Sequence, residues 1–155
     1  MEIKADSSPE SAWFAVQQKL FAFCSAVDRR QFHELRDVFL ESATGDYGKG
    51  RVSANLADLL LAMEHNLGAG SNCGPSQHNV LNVRVALDEQ GNWTSTAHFY
   101  AVHAGTGRWE GMLWKTWGQY EDLWEMTGNG LRIRHRQYTT FFEEGPGEIV
   151  SRVRD

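Results

Sequence analysis

The most constraining feature of this chain is a change of hydrophobic period partway along it. Up to Leu67, apolar residues recur at every third or fourth position. Beyond the Gly-, Asn- and Ser-rich segment 68–75 they recur at every second. The first spacing aligns side chains on one face of a helix, the second on one face of a strand. Each helix stripe and one face of the sheet must then be buried. Helices laid into the concave side of a strongly bent antiparallel sheet satisfy both needs. Such a sheet closes poorly at its centre, so a cavity is expected. The fold class read from the pattern is α+β, three N-terminal helices packed into a curved antiparallel sheet.

The first helix should start at Ser8-Pro9-Glu10, with Ser8 as N-cap, and end near Asp28. Trp13, Phe14, Gln17, Leu20, Phe21, Cys24 and Val27 define its apolar face. Phe32, Leu35, Val38 and Phe39 predict a short second helix, and 44–48 a strand or turn. Leu56, Leu59, Leu60 and Met63 predict a third helix over 52–67 capped by Ser53. Four long strands follow, over 77–87, 93–103, 108–126 and 131–142, with Gly111 and Gly118 as places for the third to bend. Residues 1–8 read as a disordered leader, 9–145 as one domain and 146–155 as a tail.

A net charge of −5 and the lack of any Lys/Arg run argue against nucleic-acid binding. No apolar stretch is long enough to span a membrane, and the N-terminus lacks a signal peptide's basic flank and apolar core, so a cytoplasmic location is expected. Cys24 and Cys73 sit in neither redox nor zinc spacing and read as free thiols. The unusual number is the aromatic content, 12%. Aromatics in strand-like sequence fill cores and also wall pockets for flat ligands.

Four candidates could carry chemistry, the last of them a pair of histidines. Asp28, at the end of the first helix, lies near the core side, where an acid needs a partner. His78 opens the first long strand and can serve as a general base, its tautomer fixed by a carboxylate on the other ring nitrogen. Alternation places Val80 and Asn82 on its face. Tyr47 could donate a hydrogen bond to a developing oxyanion. His98 and His103 are five residues apart on one strand, hence on opposite faces, a poor metal pair. No metal, phosphate-loop, dinucleotide or nucleophile-elbow motif is present, so neither metal nor cofactor is expected. Trp114, Trp117, Tyr120 and Phe99 are candidate pocket walls, and Asn82 and His98 join them as candidate substrate contacts.

The stretch 27–35, together with Asp46-Tyr47-Gly48, His78-Asn79 and the run from Gly118 to Asp122 through Asn129 to Ile133, resembles the SnoaL-like families of the NTF2-like superfamily. Scytalone dehydratase and the hexachlorocyclohexane dehydrochlorinases are among them. The resemblance implies a cone-shaped pocket and cofactor-free chemistry. It implies that Asp28 orients His78 as a proton-abstracting base, and that Tyr47 and His103 steady charge on a substrate oxygen. Where the scytalone enzyme has a second tyrosine, Val27 stands here, a candidate substrate contact. That enzyme's pocket asparagine falls near Tyr120 or Glu121, and the dehydrochlorinase lysine falls in Phe21-Ala22-Phe23. Neither scytalone nor a chloride leaving group is therefore the expected specificity. The reading is a lyase acting on a flat, largely apolar aromatic, polyketide-like or steroid-like small molecule, in a homodimer or homotrimer. The alternatives are a non-catalytic module like the β subunit of ring-hydroxylating dioxygenases, an isomerase, or an epoxide hydrolase built on Arg136 and Asp122.

Overall fold

The computed structural model describes residues 8–151. Helix α1 (Pro9–Asp28) starts where Ser8 Oγ accepts the Ser11 amide at 3.3 Å, with Pro9 in the first turn. A 3-10 turn (Phe32–Asp37) leads into β1 (Phe39–Asp46) and the short β2 (Val52–Ser53), followed by α2 (Leu56–Leu67). The long strands are β3 (Cys73–Leu87), β4 (Trp93–Gly105), β5 (Leu113–Thr127) and β6 (Gly130–Glu144). They form one six-stranded sheet in the order β2-β1-β6-β5-β4-β3, antiparallel except where β1 runs parallel beside β6. The α+β architecture expected from the period change is present.

The differences have local causes. The second helix is a 3-10 turn, and Val38-Phe39 leave it to start a strand; their spacing from Leu35 imitates a further helical turn. The third helix starts at Leu56, not Val52, because Val52 and Ser53 pair with Asp46 and Gly45. Its cap is Asn55, whose side chain accepts the Asp58 amide at 2.9 Å, rather than Ser53. Strand β3 begins at Cys73 and includes Pro75, which an edge strand tolerates. Strand β5 begins at Leu113, after a 3-10 turn (Gly107–Trp109) and Gly111 at φ 83°.

On α1 the buried stripe is Ala12, Val16, Leu20, Phe23, Cys24, Ala26 and Val27. Trp13, Phe14 and Phe21, expected inside, are 46%, 61% and 47% exposed. Two apolar stripes lie side by side on this helix, and the buried one packs Phe23 against Phe39 of β1 and Tyr120 of β5. Gly118 does sit at a bend: the β5–β6 register shifts there, and a Cβ would stand 2.0 Å from the Thr139 carbonyl oxygen and 2.6 Å from Phe99 Cζ. That close approach lets Phe99 stack between Tyr120 and Tyr138, at 4.6 and 4.7 Å. Residues 147–150 form a last 3-10 turn, with Ile149 fully buried, so this part of the expected tail packs on the sheet. Residues 1–7 of the expected leader, and 152–155 of the tail, lie outside the described residues.

Candidate active site

Between α1, α2 and the concave face of the sheet lies a cavity of about 550 Å³. His78 reaches it from β3, His103 from β4, Trp114 and Tyr120 from β5, Val27 from α1 and Tyr47 from the β1–β2 turn.

Asp28 is the last residue of α1 and stands behind His78. Its Oδ1 lies 2.7 Å from His78 Nδ1, and Oδ2 accepts the His78 backbone N–H at 2.9 Å. Ser76 Oγ adds a third hydrogen bond to Oδ1, at 2.9 Å. Burial alone would raise the Asp28 pKa. The hydrogen bonds and charge from His78, with Ser76, outweigh it and hold the carboxyl below its ordinary range. An ionised carboxylate has no proton to give, so Nδ1 carries the hydrogen, and in the neutral ring that leaves the lone pair on Nε2. The side chains of His78 and Asp28 are only 11% and 22% exposed.

The direction of the Ser76 hydrogen bond is set by Arg30. Arg30 sits at φ 59°, just past the helix, and its Nη1 donates to Ser76 Oγ at 2.7 Å. A guanidinium cannot accept, so the serine hydrogen points to Asp28. Arg30 Nε also donates to the Leu67 carbonyl at 2.7 Å and Nη2 to that of Gly74, tying α2 and β3 to the helix end. Ser76→Ala should therefore move the Asp28 titration upward and cost about 1–2 kcal/mol of stability. Carboxyl-resolved NMR titration and urea unfolding measure both; an unchanged Asp28 titration would refute the role.

His103 lies edge-on to His78, ring centroids 5.0 Å apart, and packs on Trp114 at 4.9 Å. Burial, helped by His78, pushes its pKa down to about 3, so the ring is neutral near pH 7. Its Nδ1 is buried with no hydrogen-bond partner among the described residues. The Tyr47 hydroxyl is pushed up to about 12 by burial and stays protonated. Gly45 makes room for it, since a Cβ there would meet the Tyr47 ring at 2.6 Å.

Asn82 and His98, expected as substrate contacts, are outside the cavity. The β3–β4 register shifts between Leu81 and Arg84, and Asn82 takes φ 53°. This bulge reverses the side-chain parity, and Asn82 Nδ2 meets His98 Nδ1 at 3.1 Å on the outer face. His98 faces outward because His103 faces inward. Of the candidate walls, Trp114 and Tyr120 line the cavity, Phe99 is buried behind it, and Trp117 packs outside on Tyr100 and Phe142. Arg136 and Asp122 are an ion pair beneath the wall, not on it. Sequence reasoning missed Ser76, two residues before His78, and the role of Arg30. Among the described residues no group of His, Cys, Asp and Glu is placed to hold a metal ion, and no helix is long and apolar enough to cross a membrane.

A family model described as the SnoaL-like domain matches residues 13–137. No curated protein matches the chain. Among solved structures, a provisionally named aromatic ring hydroxylase of Novosphingobium aromaticivorans superposes with a TM-score of 0.80 at 21% identity, covering 94% of this chain and all of that one. A provisionally named scytalone dehydratase of the same organism gives 0.76 at 17%, covering 86% of each chain. The type 3 hexachlorocyclohexane dehydrochlorinase of Novosphingobium barchaimii gives 0.72 at 11%, over 86% of this chain and 88% of that one. At these identities the likeness is one of fold.

Proposed function

The chain belongs to the SnoaL-like family, within the NTF2-like superfamily, and on that footing we propose that it is a cofactor-independent lyase. The observation that carries the proposal is the 2.7 Å contact between Asp28 and His78 at the wall of an aromatic-lined cavity. His78 Nε2 removes a proton from a substrate carbon, and the C–H electron pair forms a new double bond as a leaving group departs from the next carbon. Asp28 stabilises the imidazolium produced. Tyr47 and the neutral His103 donate to the oxygen on which charge develops. Dehydration is the leading reaction; retro-aldol cleavage and isomerisation use the same base and donors. The substrate is a flat, largely apolar small molecule of aromatic, polyketide or steroid type. A panel of such hydroxylated compounds, run on the native protein and on His78→Ala, tests the reading. Elimination by the native protein alone supports it; equal turnover by both refutes it.

An assembly role has one observation in its favour. The outer face of the sheet carries Tyr100, Trp117 and Phe142 in contact, with Leu81, Phe141 and Phe142 at 51%, 61% and 60% exposure. We propose that this face joins copies of the chain into a homodimer or homotrimer. Light scattering at micromolar concentration should return two or three chain masses; a monomer would remove the proposal.

A further inference from the structure

The cavity wall is at odds with the charge of the chain. There are twenty Asp and Glu against fifteen Lys and Arg, yet no carboxylate lies on the wall. Its ionisable groups are Arg51, three histidines and three tyrosines. Of these groups, His103 Nδ1 is buried with no hydrogen-bond partner among the described residues. Among the described residues that line the cavity, the one permanently charged side chain is thus a cation, Arg51.

Arg51, an exposed residue that lines the cavity, is the permanently charged cation of this set. Its Nη2 donates to the Tyr47 carbonyl at 2.8 Å and its Nε to that of Gly48 at 3.3 Å. These bonds hold the guanidinium against its own turn and leave Nη1 unengaged. Among the described residues Arg51 forms no ion pair, whereas neighbouring Lys49 pairs with Glu143. A positioned guanidinium with free N–H groups suits a carboxylate, which it can meet with two hydrogen bonds. The other polar residues near α2, His65 and Asn66, sit in its last turn, where the helix dipole disfavours an anion.

Topology sets the distance between this cation and the base. Arg51 follows β1, near one edge of the sheet, and His78 is on β3, the other edge strand. Sheet curvature makes both line one cavity. We propose that the substrate carries a carboxylate on its flat frame, seated at Arg51, with its reacting carbon at His78 across the cavity. The identity of the reacting end rests on the lyase reading; the anion seat does not.

The test uses two isosteric probes, 2-naphthoate and 2-naphthamide, titrated calorimetrically into the full chain at low ionic strength. Naphthoate should bind at least about tenfold more tightly, as a charge-assisted bidentate contact requires. Arg51→Gln should reduce that preference to about twofold or less while the amide affinity holds, and Arg51→Lys should keep part of it. Equal binding of the two probes, no binding of either, or a preference that survives Arg51→Gln would overturn the proposal. The same titrations on His78→Ala separate it from the lyase reading. A naphthoate preference alongside unchanged turnover in that variant sinks only the lyase; elimination without the preference sinks only the anion seat.

Discussion

His78→Ala should lower turnover of the cognate substrate by about 10²–10⁴-fold, the range general-base catalysis supplies. Asp28→Asn should cost nearly as much by a different route. The carboxylate accepts three hydrogen bonds, from His78 Nδ1, the His78 amide and Ser76. An amide has one oxygen, and its NH₂ group would face donors. The ring would then lose the acceptor that fixes its Nδ1–H tautomer, and the imidazolium would lose its counter-charge. The two residues act as one unit, so the double variant should be scarcely worse than either single one. Single-turnover assays with matched circular dichroism separate this from unfolding. His78→Ala within about twofold of native would end the base assignment. The same substitutions carry a pH consequence. The folded pKa of Asp28 is depressed, so its contribution to stability is present above the ordinary carboxylate pKa and is lost as pH falls through the folded value. Asp28→Asn should flatten that part of the stability–pH curve.

Much of this site is legible in the amino-acid sequence, for definable reasons. The period change is a property of many residues at once, and single exceptions do not erase it. Asp28 is the last residue of α1, and His78 precedes the irregularity in β3, so both are still in phase with the helix stripe and the strand alternation. Legibility stops where one backbone angle changes parity. The left-handed turn at Asn82 moves that side chain to the outer face; asparagine tolerates this conformation better than most residues, but a single Asn within a regular alternation does not by itself mark a bulge. The same holds for Arg30, whose positive φ aims its guanidinium at Ser76 rather than at solvent. On α1 the difference is one of size. Large aromatics dominate the apolar pattern, while the buried stripe includes the small residues Ala12, Val16 and Ala26. Arg136 resembles a pocket residue in sequence because its burial is invisible in a strand of alternating polar residues.

That arginine carries the second large effect. Its side chain and that of Asp122 are each 1% exposed, joined by Nε–Oδ1 and Nη2–Oδ2 contacts of 2.7 and 2.8 Å. The guanidinium lies over Tyr120 at 4.0 Å, with Phe23 and Phe39 at 4.6 and 5.2 Å. Burial disfavours its charge, but Asp122 more than offsets this and raises the pKa. Removing one partner leaves the other as an uncompensated buried charge. Arg136→Ala and Asp122→Ala should therefore each lose about 3–5 kcal/mol, read as a lower urea midpoint at constant m value. Replacing both together, as Arg136→Met with Asp122→Leu, removes both desolvation costs and should recover most of that loss. Single losses under about 1 kcal/mol would mean that water reaches the pair. The recovered double variant also isolates chemistry from packing. Arg136 lies beneath Tyr120 and does not line the cavity, so a stable double variant should keep the turnover that His78→Ala abolishes.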